Sequence, residues 1–203
     1  MDESVIASIE RWPNVPAVYG WLSLTARGQW RLHPDGQAIQ GNAGQSISNP
    51  QILGFINRNY GHDGEGRWFF QNGPQRVYVR LDAAPWVILA DDCQGTLSTH
   101  TGIPIQSVNY LWVDDAGSLY LQTEHGPGQL IDRDLPRFAQ SFVSKDGQAL
   151  EDWWIGGDAN PDRKREAMVS ADWIACPRPV PIERLAVAPP IDAQLGFVAN
   201  PAP

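Results

Sequence analysis

Hydrophobic positions along this chain change period several times. Val5, Ile6, Ile9 and Trp12 recur at helical spacing behind an acidic Met-Asp-Glu-Ser start, which predicts a helix over residues 3–11. Pro13 and Pro16 interrupt it, and Ala17 to Thr25, rich in Val, Tyr, Trp and Leu, reads as a strand. Ala26-Arg27-Gly28 supplies a turn, Gln29 to His33 a second strand and Pro34-Asp35-Gly36 another turn, together a short antiparallel meander. Gly41 to Ser48 reads as a polar loop.

Asn49 as N-cap and Pro50 at the first helical position open a second helix. Ile52, Leu53, Ile56 and Tyr60 fall on one face of it, and Gly61 stands where a C′ residue belongs. Arg67 to Gln71, Asn72-Gly73 and Gln75 to Leu81 then carry the strongest hairpin signature in the chain, because Asn-Gly accepts the two positive φ angles of a type I′ turn. Such a turn sets Phe70 opposite Gln75, Phe69 opposite Arg76, Trp68 opposite Val77 and Arg67 opposite Tyr78. Strand alternation puts Trp68, Phe70, Val77, Val79 and Leu81 on a core face, and Arg67, Phe69, Arg76, Tyr78 and Arg80 on the other. Residues 17–33 and 67–81 are expected to pair antiparallel, with helix 50–60 packed on their apolar face.

After Pro85, Trp86 to Ala90 reads as one more strand, and a second region starts near Ile103. Strands are expected at Val108 to Val113 and Ser118 to Thr123 about the turn Asp114 to Gly117, then a helix capped by Asp134 with Leu135, Phe138, Ala139, Phe142 and Val143 on one face. A shift of 82 or 83 residues puts Trp30 on Trp112, Phe55 on Phe138, Asp63 on Asp146 and Gly64 on Gly147, which suggests an internal repeat. Asn160-Pro161 looks like a further helix start. Seven of the last 27 residues, from Pro177, are Pro, which excludes regular sheet, yet Ile182, Leu185, Val187, Ile191, Leu195, Phe197 and Val198 make this tail too apolar for a solvated linker. The expected class is α+β, with antiparallel sheets and hairpins, short packed helices, two related halves and an extended Pro-rich tail. Its divisions are 1–16 as a helical lead-in, 17–100 and 101–157 as the halves, and 158–203 as a helix and tail docked on the body or on a neighbour.

The 203 residues, 42% hydrophobic and 19% charged, can bury roughly 70% of their unfolded surface without a disulfide or metal staple. No run approaches a membrane span, and the start lacks the basic flank of a signal peptide, so a cytoplasmic protein is expected. The net charge of −8 repels polyanions, which removes nucleic acid and anionic membranes from the expected partners. Cys93 and Cys176 are far apart and belong to no ligand motif; they read as reduced, small apolar residues.

Little in the chain points to catalysis. His33, His62, His100 and His125 are separated by whole elements with no metal-ligand spacing, and ordinary turn or surface histidines are expected. There is no nucleophile elbow, and Gly61 to Gly66 carries two carboxylates and leads into a strand, so it is no phosphate loop. No catalytic residue, metal or cofactor is therefore assigned. Against the acidic background, Arg67, Phe69, Arg76, Tyr78 and Arg80 stand out as a candidate binding face for an anionic small molecule or an acidic protein segment, since guanidiniums offer paired donors and rings offer stacking. The bland alternative is that these arginines are neutralised within the fold.

The stretches Ala17 to Leu22, Gly61 to Leu81 and Ala84-Pro85-Trp86-Val87 resemble a proteobacterial family of unknown function, most closely over residues 14–90. The order of Trp-Gly turn, short helix, Asp-Gly turn, hairpin and Ala-Pro-aromatic step is similar to a second bacterial family of unknown function with repeated α+β motifs, for which signalling has been suggested. That resemblance implies a regulatory or binding protein and brings no catalytic residue. The expected function is a non-enzymatic binding or interaction module. The alternatives are an enzyme of unfamiliar type built from residues such as Asp91, Asp92, His100 and His125, or an assembly protein forming a homo-oligomer through its tail.

Overall fold

Two mixed sheets and a few short helices make up the chain, an α+β fold. The structure is a computed structural model that describes residues 1–91, 94–144, 165–169, 175 and 179–203. The chain divides into two units, Met1–Pro85 with Leu195–Pro203, and Trp86–Gln194. The boundary follows Pro85, so Trp86–Asp91 and Thr96–Thr99, assigned by sequence to the first half, pair within the second sheet.

In the first unit α1 (Glu3–Arg11) precedes β1 (Val18–Leu24), β2 (Trp30–Leu32) and β3 (Gln45–Ser46); α2 (Pro50–Arg58) follows, then β4 (Tyr60–His62), β5 (Trp68–Asn72) and β6 (Gln75–Leu81). The sheet order is β3-β2-β1-β6-β5-β4. Its centre corrects the sequence reading: β1 and β6 run parallel, with Leu22 beside Val79 and Leu24 beside Leu81, while β1–β2 and β5–β6 are antiparallel. The loop expected at Gly41 to Ser48 also contains β3. Its Gln45 pairs with Leu32.

Asn49 caps α2 as its sequence predicts, Oδ1 accepting from the amides of Gln51 and Ile52 at 2.9 and 3.3 Å. The helix ends sooner than Gly61, however: Asn59 is its C-cap, and Tyr60 and Gly61 already belong to β4. Tertiary pairing of Tyr60 with Phe70 competes with continued helix and wins. The hairpin β5–β6 turns at Gly73-Pro74, not Asn72-Gly73, pairing Asn72 with Gln75, Phe70 with Val77 and Phe69 with Tyr78. Gly73 has φ 57°. Pro74, fixed near φ −65°, cannot supply the second positive angle of a type I′ turn. This register differs from the expected one by two residues, an even number, so both faces keep the predicted membership.

The second unit carries β7 (Trp86–Asp91), β8 (Thr96–Thr99), β9 (Pro104–Ile105), β10 (Val108–Val113), β11 (Leu119–Thr123), β12 (Gly126–Leu130), α3 (Leu135–Gln140), β13 (Phe142–Ser144), β14 (Arg165–Val169) and β15 (Val180–Arg184). Its sheet runs β13-β14-β15-β10-β11-β12-β7-β8-β9. From β10 to β15 the order, the helix position and the parallel central pair repeat those of β1 to β6. The match is finer than topology. Leu22↔Leu32 and Leu24↔Trp30 correspond to Leu111↔Leu121 and Val113↔Leu119, a shift of 89 residues, and the turn bonds Gly28 N–Thr25 O and Gly117 N–Asp114 O share that shift. Trp30 thus corresponds to Leu119, not Trp112. At β3 and β12, Gln45 corresponds to Gly128, a shift of 83 that also relates Phe55 to Phe138 on the two helices. Asp146, Gly147 and Asn160-Pro161 lie outside the described residues.

The tail is not excluded from sheet: Val180–Arg184 lies between β14 and β10. Pro181 precedes Ile182, where pairing with β10 begins, so its missing N–H breaks no rung on that side. Ile182, Leu185 and Phe197 are all buried. Farther on, Val198 N donates to Gly66 O and Leu81 N to Ala199 O, fastening the end of the chain to the first unit. Asp134 lies at the N-cap of α3 without bonding that helix by its side chain; its carboxylate instead accepts from Ala90 N and Arg133 Nε. That helix ends at Gln140, leaving Phe142 and Val143 in β13.

One glycine shapes the first sheet. The β1–β6 register shifts between Val18 and Leu22, and Gly20 there has φ 78°; a Cβ on it would sit 2.2 Å from Gly36 O. Gly20→Ala should therefore lower the unfolding free energy by on the order of 2 kcal/mol or more in urea titration, whereas Gly64→Ala, where a Cβ meets nothing within 4 Å, should stay within about 0.5 kcal/mol of the parent.

Candidate functional site

Helix α2 lies over the core face of the first sheet and is pinned most firmly toward its C-terminal end. Ile56 is buried, Phe55 meets Phe70 edge to face at 5.5 Å, and Asn57 Oδ1 accepts from Trp30 Nε1 at 2.9 Å. Tyr60, just beyond, packs against Trp30 and Trp68 with ring centroids 5.1 and 5.0 Å away. At the other end Ile52 remains 49% exposed. Between helix and sheet lies a cleft of about 720 Å³. Val18, Leu22, Phe70 and Val77 form its sheet wall, and Ile52, Phe55 and Ile56 its helix wall. Trp21, set by the irregularity at Gly20, joins Leu32 and Ile47 in the lining. Its polar members are the carboxamides of Gln51, Asn72 and Gln75; among the described residues no charged side chain lines it.

Two of the equivalent positions in the second unit are fully buried. Leu32 is 41% exposed, and its counterpart Leu121 0%. Phe138, which corresponds to half-buried Phe55, is also 0% exposed.

On the opposite face of the sheet the five residues singled out by sequence do come together. Tyr78 stacks on Tyr19 at 4.7 Å and meets Phe69 edge to face at 5.9 Å. Arg67 Cζ lies 5.1 Å from the Tyr78 ring and Arg76 Cζ 4.6 Å from the Phe69 ring. Two guanidiniums are engaged by carboxylates of the same unit: Arg67 with Asp63 at 2.8 Å and Glu65 at 3.2 Å, and Arg80 with Asp82 at 2.7 Å while it also donates to Ala38 O. Phe69 and Tyr78 are buried; Arg76 is exposed.

Asp63 organises this face. Burial works against its charge, but Arg67 Nε, the amides of Arg67 and Glu65, and the Tyr78 hydroxyl all donate to the carboxylate and hold its pKa at about 2.

The histidines show no convergence on a reaction centre. His33 is not a surface residue as expected: it is buried 2.8 Å from Ser23 Oγ, and burial depresses its pKa. His100 does lie in a turn, and burial depresses its pKa to about 3. His125 Nε2 lies 3.0 Å from Pro104 O, and Trp86 donates to the His125 carbonyl while packing on the His100 ring at 5.7 Å. Among the described residues no group of His, Cys, Asp or Glu is arranged to hold a metal. Asp92 and both cysteines lie outside them. Among the described residues no helix is long and apolar enough to cross a membrane.

A family model described as "Protein of unknown function (DUF2946)" matches residues 1–202. The chain belongs to that family, DUF2944. The DUF2944 fold is similar to that of a DUF1285 family protein from Silicibacter pomeroyi DSS-3, at 14% identity and a TM-score of 0.51, covering 90% of this chain and 96% of that one. A DUF1285 family protein from Shewanella baltica OS155 aligns over 59% of this chain and 90% of its own, with 20% identity and a TM-score of 0.42. No curated protein matches. The resemblance to families of unknown function thus holds, and the similarity to the Silicibacter protein is one of fold.

In this DUF2944 chain the lowered pKa of Asp63 has a definite sign. Its contribution is present above the ordinary carboxylate value of 3.8 and is lost as pH falls through about 2. Asp63→Asn should lower the urea midpoint at pH 6, and the difference from the parent should shrink between pH 4 and pH 2; a constant difference across that range would show that the charge of Asp63 contributes nothing.

Proposed function

We propose that this protein is a non-catalytic, cytoplasmic binding module of regulatory use, and that it binds through the cleft between α2 and the first sheet. The observation that supports this most strongly is the contrast between equivalent positions: one ββ-β-α-βββ unit buries Leu121 and Phe138 completely, and the other leaves Leu32 exposed and Phe55 half-buried. We further infer that the two units arose by internal duplication, one copy keeping a closed core while the other opened. A large apolar side chain left in water forgoes on the order of 1.5–3 kcal/mol, so an open apolar cleft that is retained points to an occupant. About 720 Å³ is also within the range of small-molecule sites.

The exposed Arg76 supports a second, narrower reading, in which the Arg67, Phe69, Arg76, Tyr78 and Arg80 face touches an anionic group through that one guanidinium. Arg67, paired with Asp63, would then position Tyr78, and Arg80, paired with Asp82, would hold the loop at Ala38.

The cleft reading is tested with Nile red, a neutral apolar dye. The native protein should bind it at one site, and Leu32→Glu should weaken binding at least tenfold while the thermal midpoint stays within about 2 °C, because Leu32 is an exposed position on the lining. Val187→Glu, on an 85% exposed side chain outside the cleft, should bind like the parent. Unchanged affinity in both Leu32→Glu and Ile52→Glu would remove the cleft as the site.

A further inference from the structure

We propose that the occupant of this cleft is an alkyl-chain molecule with an uncharged hydrogen-bonding end, such as an amide, ester or hydroxyl, and not a fatty acid or other anionic amphiphile. The proposal rests on the cleft being a binding site and adds the chemical class of its ligand.

Three observations carry it. The first is charge. Among the described residues the lining holds no cation, in a protein with 15 Lys and Arg. Strand alternation decides this: Gln75 and Val77 line the cleft, and Arg76 between them projects to the other face with Tyr78 and Arg80. A carboxylate or phosphate entering the cleft would lose hydration with no guanidinium to replace it.

The second is the kind of polar group available. Asn72 and Gln75 are directly opposite each other on the last rung of the β5–β6 hairpin, so two carboxamides sit together at one end of the sheet wall. A carboxamide both donates and accepts, which matches an amide, ester or hydroxyl. Gln75 gives one N–H to Pro16 O at 3.2 Å and keeps a second N–H and its carbonyl oxygen.

The third is size. Thirteen residues line the cleft, against the roughly 20–30 a side of a stable protein interface, and its walls are mainly Val, Leu, Ile and Phe. Such walls suit a flexible hydrocarbon chain better than a folded partner.

The test uses the full chain loaded with Nile red and competitors of one chain length, each below the concentration at which it forms micelles: dodecanamide, 1-dodecanol, dodecanoate and dodecyl phosphate, at pH 8. The two neutral compounds should displace the dye at concentrations at least tenfold lower than the two anions. Asn72→Leu, at an exposed position, should reduce dodecanamide affinity about tenfold, whereas Val187→Glu, outside the cleft, should leave it unchanged; Gln75→Leu serves as the second variant. Dodecanoate displacing as well as dodecanamide would overturn the proposal, as would full dodecanamide affinity in both variants. Displacement by an amphipathic peptide and by none of the alkyl compounds would overturn the ligand class while leaving the cleft a binding site. Native protein that takes up no dye would instead defeat the binding reading itself.

Discussion

Everything in the first unit depends on the parallel pairing of β1 with β6. A parallel neighbour cannot be reached by a tight turn, so the chain must travel between the two strands, and here it does so through the antiparallel strands β2 and β3, a helix and the hairpin of β4 and β5. That excursion places α2 over the sheet and makes β1 and β6 the central strands. Leu22, Leu24, Val79 and Leu81 are buried along this pair. The second unit meets the same constraint with β10 and β15, although its helix is shorter and three extra strands extend one edge.

Because strand order and helix position recur in the two units, the differences between them can be read as the effect of individual residues. Both central pairs bury aliphatic side chains, Leu22, Leu24, Val79 and Leu81 in one and Leu111, Val113 and Ile182 in the other. Where the helix crosses, one copy inserts Phe138 completely, and the other anchors Phe55, Asn57 and Tyr60 toward the C-terminal end of the helix and leaves the first turn standing away. An aromatic cluster therefore holds one end of α2 while the cleft remains beside it. The charged groups of the same sheet are kept on the reverse face, where Asp63 gathers Arg67 and Tyr78 and Asp82 takes Arg80. One sheet thus separates a charge-paired surface from an uncharged apolar one.

Much of this was legible in the linear chain. The helix start at Asn49-Pro50, the strands around Gly28 and Gly117, the core face of β5 and β6, and the convergence of Arg67, Phe69, Arg76, Tyr78 and Arg80 all follow from local signals of capping, turn chemistry and alternation. The correspondence between the units was visible in part: a shift of 83 matches the helices, while the first hairpins need 89, because the segment between Leu32 and Gln45 is six residues longer than that between Leu121 and Gly128. A single shift cannot show both. The cleft left no such mark, since Ile52, Phe55 and Ile56 have the spacing of an ordinary core-facing helix.

Alternation and local turn chemistry settled which side chains share a face, since a β-strand changes face at every residue whatever its partners do. Even the displaced turn of the β5–β6 hairpin left those faces intact, because it moved the register by two. Tertiary structure decided strand order and direction, the use of Val180–Arg184 as a strand, and the burial of His33. These depend on contacts between segments far apart in the chain, where competing pairings share the same local pattern and differ only in what they bury together. The separation of α2 from its sheet belongs to this second kind: apolar spacing shows which face of a helix turns inward, and the packing of distant aromatic residues determines how closely it can approach.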